Sequence, residues 1–115
     1  MKPFAAWVAC ALLALAMPVA AQTAGTEAPQ IGQVSKDSVW VPTPERLIRR
    51  MLQLADTTRE DLVIDLGSGD GRIPIYAARH FGARAVGVEL EANLVKFLQQ
   101  SAAAQGVAGL TQFLQ

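Results

Sequence analysis

The stretch Asp65-Leu66-Gly67-Ser68-Gly69-Asp70-Gly71 stands between a run of β-formers, Leu62-Val63-Ile64, and a helical pattern from Ile73 to Phe81. Pro74 is tolerated in the first turn of that helix, and Gly82 is a plausible stop. A glycine-rich turn after a strand lets a ligand approach the backbone where side chains are absent. The N–H groups of such a loop, with the next helix N-terminus, offer donors and positive potential. They are expected to favour an anionic group, a carboxylate or a phosphate. The dinucleotide fingerprint is G-x-G-x-x-G. Here the third glycine arrives one residue early, and Arg72 stands where that fingerprint needs glycine.

Outward from the loop, strands and helices alternate. Ala85 to Glu89 is expected to be a second strand, Asn93 to Gln105 a helix with Leu94, Phe97, Leu98 and Ala102 inward, and Thr111 to Leu114 the start of a third strand. Upstream, Thr43-Pro44-Glu45 has the composition of a helix start, with Thr43 as cap. Leu47, Ile48, Met51, Leu52 and Ala55 then form one apolar face. The expected fold class is α/β, a doubly wound, Rossmann-like parallel sheet with flanking helices. The chain supplies its first half: two strands and the start of a third.

Glu89 lies 18 residues after Gly71, at the end of the second strand. A carboxylate there can accept hydrogen bonds from both hydroxyls of a ribose, and dinucleotide proteins use an acid at the same place. It supports an adenosine ligand without saying which one.

The D-x-G-x-G-x-G form at a strand end, Asp65 to Gly71, resembles motif I of class I S-adenosylmethionine-dependent methyltransferases. The resemblance covers Val39 to Leu114 and is strongest from Leu62 to Glu91. It implies methyl transfer with S-adenosylmethionine as cofactor. By that resemblance Asp65, Gly67, Ser68 and Gly69 surround the methionine moiety, Glu89 holds the ribose, and Leu90 lies beside the adenine. Val41-Pro42-Thr43-Pro44 before a helix also resembles a subgroup of small methyltransferases that includes protein-lysine methyltransferases. This makes a protein lysine a conceivable methyl acceptor. No catalytic acid or base and no metal ligand is assigned.

The other polar and aromatic residues have plainer roles. Asp70 and Glu91 read as solvated turn residues, His80 as a surface residue, and Arg46, Arg49 and Arg50 as a solvated helix face. Trp40 reads as a packing residue and Tyr76 as core or near-core.

The N-terminus has a different character. Lys2 precedes an unbroken apolar run from Phe4 to Met17, then Pro18 and small residues up to Ala21. This is the pattern of a secretory signal peptide over residues 1–21, cut after Ala21. The run falls short of the roughly 20 apolar residues of a comfortable membrane span. Residues 22–38, rich in Gln, Thr, Gly, Ala and Ser, are expected to be a flexible linker, and residues 39–115 a partial methyltransferase domain. The expected location is exported, periplasmic. The alternative is an uncleaved anchor that holds the domain on the cytoplasmic side, with membrane contact only through the leader. Cys10, the only cysteine, lies inside the apolar run, so the mature chain has no disulfide. The formal charge is zero, and removing Lys2 with the leader makes it about −1, so no basic excess points to nucleic acid.

Three functions stay open at this point. The first is methyl transfer by a cofactor-binding half, truncated, marginally stable and inactive alone. The second is a non-catalytic exported nucleoside-binding or interaction protein. The third is a fragment of a dinucleotide-binding oxidoreductase.

Overall fold

The computed structural model describes residues 27–34 and 39–115. The leader expected over residues 1–21 lies outside the described residues, as does part of the expected linker. In chain order the elements are α1 (Glu45–Leu54), β1 (Leu62–Leu66), α2 (Arg72–Phe81), β2 (Arg84–Val88), α3 (Ala92–Ala104) and β3 (Thr111–Leu114). The strands lie side by side in the order β1-β2-β3, and both pairs are parallel. Val63 pairs with Ala85, Leu66 with Val88, and Gly87 with Phe113.

The helices share one face of the sheet. Strand side chains alternate between faces, so Val63, Ala85, Gly87 and Phe113 all point the same way. On that side Ile48 and Leu52 of α1 pack with Tyr76 and Ala77 of α2 over Ala85 and Val63. Ile75 and Ala78 of α2 pack with Leu98 and Ala102 of α3 over Phe113. The helices thus meet a continuous core split into two neighbouring clusters.

The other face of the sheet is bare among the described residues. Leu62, Ile64 and Leu66 are 49%, 59% and 78% exposed, and Leu114 is 42% exposed. The sheet is therefore wound on one side only, not both, over the residues described. A contiguous apolar strand face in water invites association. Ile64→Thr keeps the β-branch and exchanges a methyl-rich surface for a hydroxyl. We expect it to lower binding of a hydrophobic dye and self-association in sedimentation, and to change stability by no more than about 0.5 kcal/mol. A large loss of stability would mean that Ile64 is covered.

α1 departs from expectation in two ways. Thr43 makes no capping hydrogen bond; Pro44, at φ −59° and ψ 141°, is the N-cap, and the helix begins at Glu45. Only Ile48 and Leu52 are buried, whereas Leu47 and Met51 are 47% and 44% exposed. The helix touches the sheet layer along one edge through α2, so one row of its apolar stripe is covered and the next is left open.

α2 and α3 begin one residue earlier than their sequence patterns suggest. Gly82 ends α2 in the left-handed conformation, φ 67°, as expected of a glycine stop. Tyr76 is 7% exposed, and its hydroxyl accepts a hydrogen bond from Arg49 Nε at 2.9 Å. Arg49 is thus bonded back onto α2 and is not simply solvated. His80 is exposed and stacks on Tyr76, ring centroids 4.1 Å apart.

Within the stretch expected to act as a linker, residues 31–32 form a turn and Val34 bridges Val39 antiparallel. Val39 leads directly to Trp40.

Candidate functional site

The glycine loop joins β1 to α2 and closes against the end of β2. Gly67, Gly69 and Gly71 all have positive φ, 79°, 58° and 74°. Gly69 and Gly71 also lack space for a side chain. A Cβ on Gly71 would lie 2.5 Å from Leu98 Cδ2, and one on Gly69 would strike the indole nitrogen of Trp40. The loop is therefore seated tightly between α3 on one side and the segment before α1 on the other.

The loop's donors are largely used inside the protein. Gly67 and Ser68 N–H both donate to the Val88 carbonyl at 2.9 Å. Gly69 N–H donates to Glu89 Oε2 at 2.8 Å, and Gly71 N–H donates to the Ser68 carbonyl at 2.8 Å. This corrects the expectation that the loop's N–H groups would be offered to an anion. They are consumed because β2 ends beside β1 in register, which brings Val88 and Glu89 under the turn.

Carboxylates surround the same loop. Glu89 is 8% exposed; besides Gly69 N–H it accepts Glu91 N–H on Oε1 at 3.1 Å. A carboxylate has about four acceptor sites. One therefore stays free on each oxygen of Glu89. Asp65 accepts from the Ser68 hydroxyl at 3.1 Å. Burial pushes the Asp65 carboxyl above the usual aspartate range; the Ser68 hydrogen bond opposes this, and the negative charges of Asp70 and Glu89 add to it. Asp65, Asp70 and Glu89 do not converge to hold a metal ion, and no such cluster occurs among the described residues.

The raised Asp65 value has a consequence for stability. A carboxyl with a higher pKa folded than unfolded binds more protons in the native state. Stability then falls as pH rises from the unfolded aspartate value, near 3.8, through the folded one. Asp65→Asn keeps an acceptor for Ser68 and removes the charge. Urea midpoints between pH 4 and 7 should fall less with pH in Asp65→Asn than in the wild type, with the variant more stable at pH 7. Equal slopes would show that Asp65 is not destabilised by ionisation.

Asp70 is not a solvated turn residue. Its side chain is 18% exposed and binds Arg72 through a forked pair: Nε to the two oxygens at 2.9 and 3.0 Å, and Nη2 to Oδ2 at 2.6 Å. Arg72 Nη1 donates to the Thr43 carbonyl at 3.2 Å. The Arg72 guanidinium carbon lies 5.8 Å from the centre of the Trp40 ring. The D-G-R spacing after the loop could have signalled this pair, since a carboxylate two residues before an arginine at a helix start is within reach.

Of the residues singled out in the sequence, Asp65, Gly67, Ser68, Gly69 and Glu89 are brought together around one turn. Leu90 follows Glu89 and is 66% exposed. Trp40, Asp70 and Arg72 join the site from outside that set. His80 lies in the last turn of α2, whereas the loop meets the first.

A parallel β-α-β-α-β run, an acidic triple-glycine loop after its first strand and a carboxylate at the end of its second define the N-terminal part of a class I methyltransferase fold. Residues 33–106 match the model of the family described as Histone methylation protein DOT1, and the chain belongs to that family. It is 45% identical over 71 residues to a protein-lysine N-methyltransferase of Saccharolobus islandicus (strain REY15A), an alignment covering 61% of this chain and 44% of that protein. It is 39% identical over 74 residues to a lysine N-methyltransferase of Xenopus laevis named for a component of ATP synthase, covering 64% of this chain and 32% of that one. Among solved structures, an RNA methyltransferase from Salinibacter ruber in complex with S-adenosyl-L-homocysteine aligns with a TM-score of 0.64 at 53% identity. That alignment covers 65% of this chain and 49% of the other. The chain thus spans less than half the length of each of these relatives.

Proposed function

We propose that these residues form the S-adenosylmethionine-binding part of a methyltransferase. The observation that carries the proposal is the polarity of the loop: its N–H donors are largely spent internally, and the carboxyls of Asp65 and Glu89 lie beside it, while Asp70 is paired with Arg72. A pyrophosphate would meet few free donors and the two carboxyls of Asp65 and Glu89. A nucleoside with a cationic tail meets an attractive field. Glu89 retains one free acceptor site on each oxygen, which suits a vicinal diol. The residues present therefore fit adenosylmethionine better than a dinucleotide. The similarity to a methyltransferase that binds S-adenosyl-L-homocysteine supports the same choice.

When bound, this cofactor supplies a methyl group activated on a sulfonium for attack by a nucleophile. The residues of this chain hold and orient it. Glu89 takes the ribose, Gly67, with open space above it, lets the methionine part approach the backbone, and Asp65 contributes to a field that favours the cation. Positioning of this kind is a large share of the rate in such a transfer. None of the described residues is assigned as a base for the acceptor.

For the acceptor we propose a protein lysine, on the strength of the lysine methyltransferases among the relatives. The Salinibacter relative favours a second reading, an RNA acceptor. Incubation of the protein with methyl-labelled adenosylmethionine and either a lysine-containing polypeptide mixture or total RNA separates them. Label in acid-stable methyl-lysine supports the first. Label only in RNA sinks it in favour of the second. Label in neither would remove the methyl-transfer proposal for this chain on its own.

We also propose that the chain is exported, because of the leader pattern in residues 1–21. No helix among the described residues is long and apolar enough to cross a membrane. N-terminal sequencing of the protein from cells should begin at Gln22. A start at Met1 or Lys2 in the membrane fraction would mean an uncleaved anchor instead.

A further inference from the structure

α1 carries more apolar surface than its packing uses. Ile48 and Leu52 are buried, whereas Leu47, Met51 and Leu54 in the row beside them are 47%, 44% and 67% exposed. At 3.6 residues per turn, these three stand at i, i+4 and i+7 and form one stripe along the helix. Arg46 and Arg50, both exposed, run along the flank of the stripe that faces away from the core. Glu45, the one acid of the helix, lines the groove between α1 and α2, on another face. The next acid along the chain is Asp56, past the helix end. α1 stands at the end of the helix layer with α2 as its main packing partner, so the stripe lies on a convex outer surface.

We propose that α1 docks on an anionic lipid membrane and lies flat in its interface. Leu47, Met51 and Leu54 enter the boundary of the acyl chains, and Arg46 and Arg50 meet the headgroup phosphates. The inference does not depend on the cofactor reading above. A helix with an apolar stripe edged by arginines satisfies both surfaces in the plane of a bilayer interface, with the arginine stems lying along the apolar boundary. Charge and apolarity together select this partner. RNA phosphates would pair with the arginines and leave the aliphatic stripe in water. A second copy of the chain would cover the stripe but bring like charges together. A lipid surface takes both features at once. With 10 residues α1 is about 15 Å long, too short to span a bilayer and long enough to rest on one. Arg49 is left out of the contact because it is bonded to the Tyr76 hydroxyl.

Flotation of the full chain with vesicles of equal parts phosphatidylglycerol and phosphatidylcholine, against phosphatidylcholine alone, measures the binding. Arg46→Gln with Arg50→Gln should weaken binding to the anionic vesicles by roughly 10- to 30-fold. Leu54→Gln should weaken it by roughly 5- to 20-fold. The apolar leader can also enter a bilayer, so the site of contact is read separately. Cys10→Ser removes the one cysteine, and an environment-sensitive dye is then attached through Leu54→Cys or, as a control on the bare sheet face, through Ile64→Cys. The dye on α1 should shift to the blue on anionic vesicles, and the dye on the sheet should not. A shift on the sheet without one on α1 overturns the proposal, as does vesicle binding that none of the α1 substitutions changes. A shift on α1 that needs no vesicles and grows with protein concentration overturns it in favour of a second copy. Affinity for an RNA oligonucleotide that falls with the two arginine substitutions, without vesicle binding, overturns it in favour of a nucleic-acid partner.

Discussion

Glu89→Ala is expected to lower the affinity for adenosylmethionine by at least about 100-fold, and to weaken the unliganded fold as well. The side chain has two duties. Inside the protein its oxygens accept Gly69 N–H at 2.8 Å and Glu91 N–H at 3.1 Å, at a position 8% exposed. Towards the ligand, in the proposed cofactor reading, each of its oxygens keeps an acceptor site for a ribose hydroxyl. A hydrogen bond to a charged group is worth about 1.5–3 kcal/mol, and an orphaned buried donor costs about 1–3 kcal/mol. Two lost diol contacts alone come to about 3 kcal/mol or more, which is the 100-fold. The orphaned Gly69 N–H adds its cost to folding. Calorimetric titration reads the first effect and urea unfolding the second. Glu89→Gln keeps the shape and an acceptor oxygen, and should fall between wild type and alanine in both. Affinity in Glu89→Ala within threefold of the wild type would take Glu89 out of the binding site.

Gly71→Ala should cost about 2–5 kcal/mol of folding stability, enough to unfold much of a domain this small. Two effects combine. At φ 74° an alanine carries the penalty of the left-handed region, about 1–2 kcal/mol. Its Cβ would also lie 2.5 Å from Leu98 Cδ2 and 3.3 Å from Phe113 Cε1. Leu98 is 0% exposed and Phe113 is 5% exposed, so neither can retreat without opening the core, and overpacking adds about 1–3 kcal/mol. Gly106→Ala is the control. Gly106 has nearly the same φ, 73°, with nothing within 4 Å of an added Cβ. It should lose only the left-handed penalty, about 1–2 kcal/mol. Urea midpoints of the two variants isolate the steric part. Equal losses would mean that the loop is not wedged against α3.

The motif and the element order are legible in the sequence because both are local. Asp65 to Gly71 needs only short spacing to be seen, and the helical and strand periods around it change cleanly at Gly67 and Gly82. The placement of Glu89 under the loop follows from two parallel strands of equal length. What the sequence does not disclose depends on register and on distance along the chain. The loop's donors are spent because Val88 ends β2 opposite Leu66, a pairing that no local pattern announces. Hence the loop reads as an anion site where the structure has carboxylates. Trp40 and Arg72 lie 32 residues apart, and no local pattern announces their meeting. Likewise α1 shows a full apolar stripe in sequence, yet only the row carrying Ile48 and Leu52 reaches α2. The uncovered side of β1 has the same origin: Leu62, Ile64 and Leu66 look like core residues in sequence, and only the arrangement of helices shows which face is packed.

A glycine loop of this polarity should take a nucleoside with a cationic tail and refuse a phosphate. The most direct measurement is a pair of calorimetric titrations of the full chain at low salt, one with adenosylmethionine and one with NAD. Saturable binding of adenosylmethionine, with none of NAD at the same concentrations, is the expected result. Binding of NAD with equal or greater affinity would contradict it, since a pyrophosphate finds few free N–H donors in a loop whose own donors are largely spent.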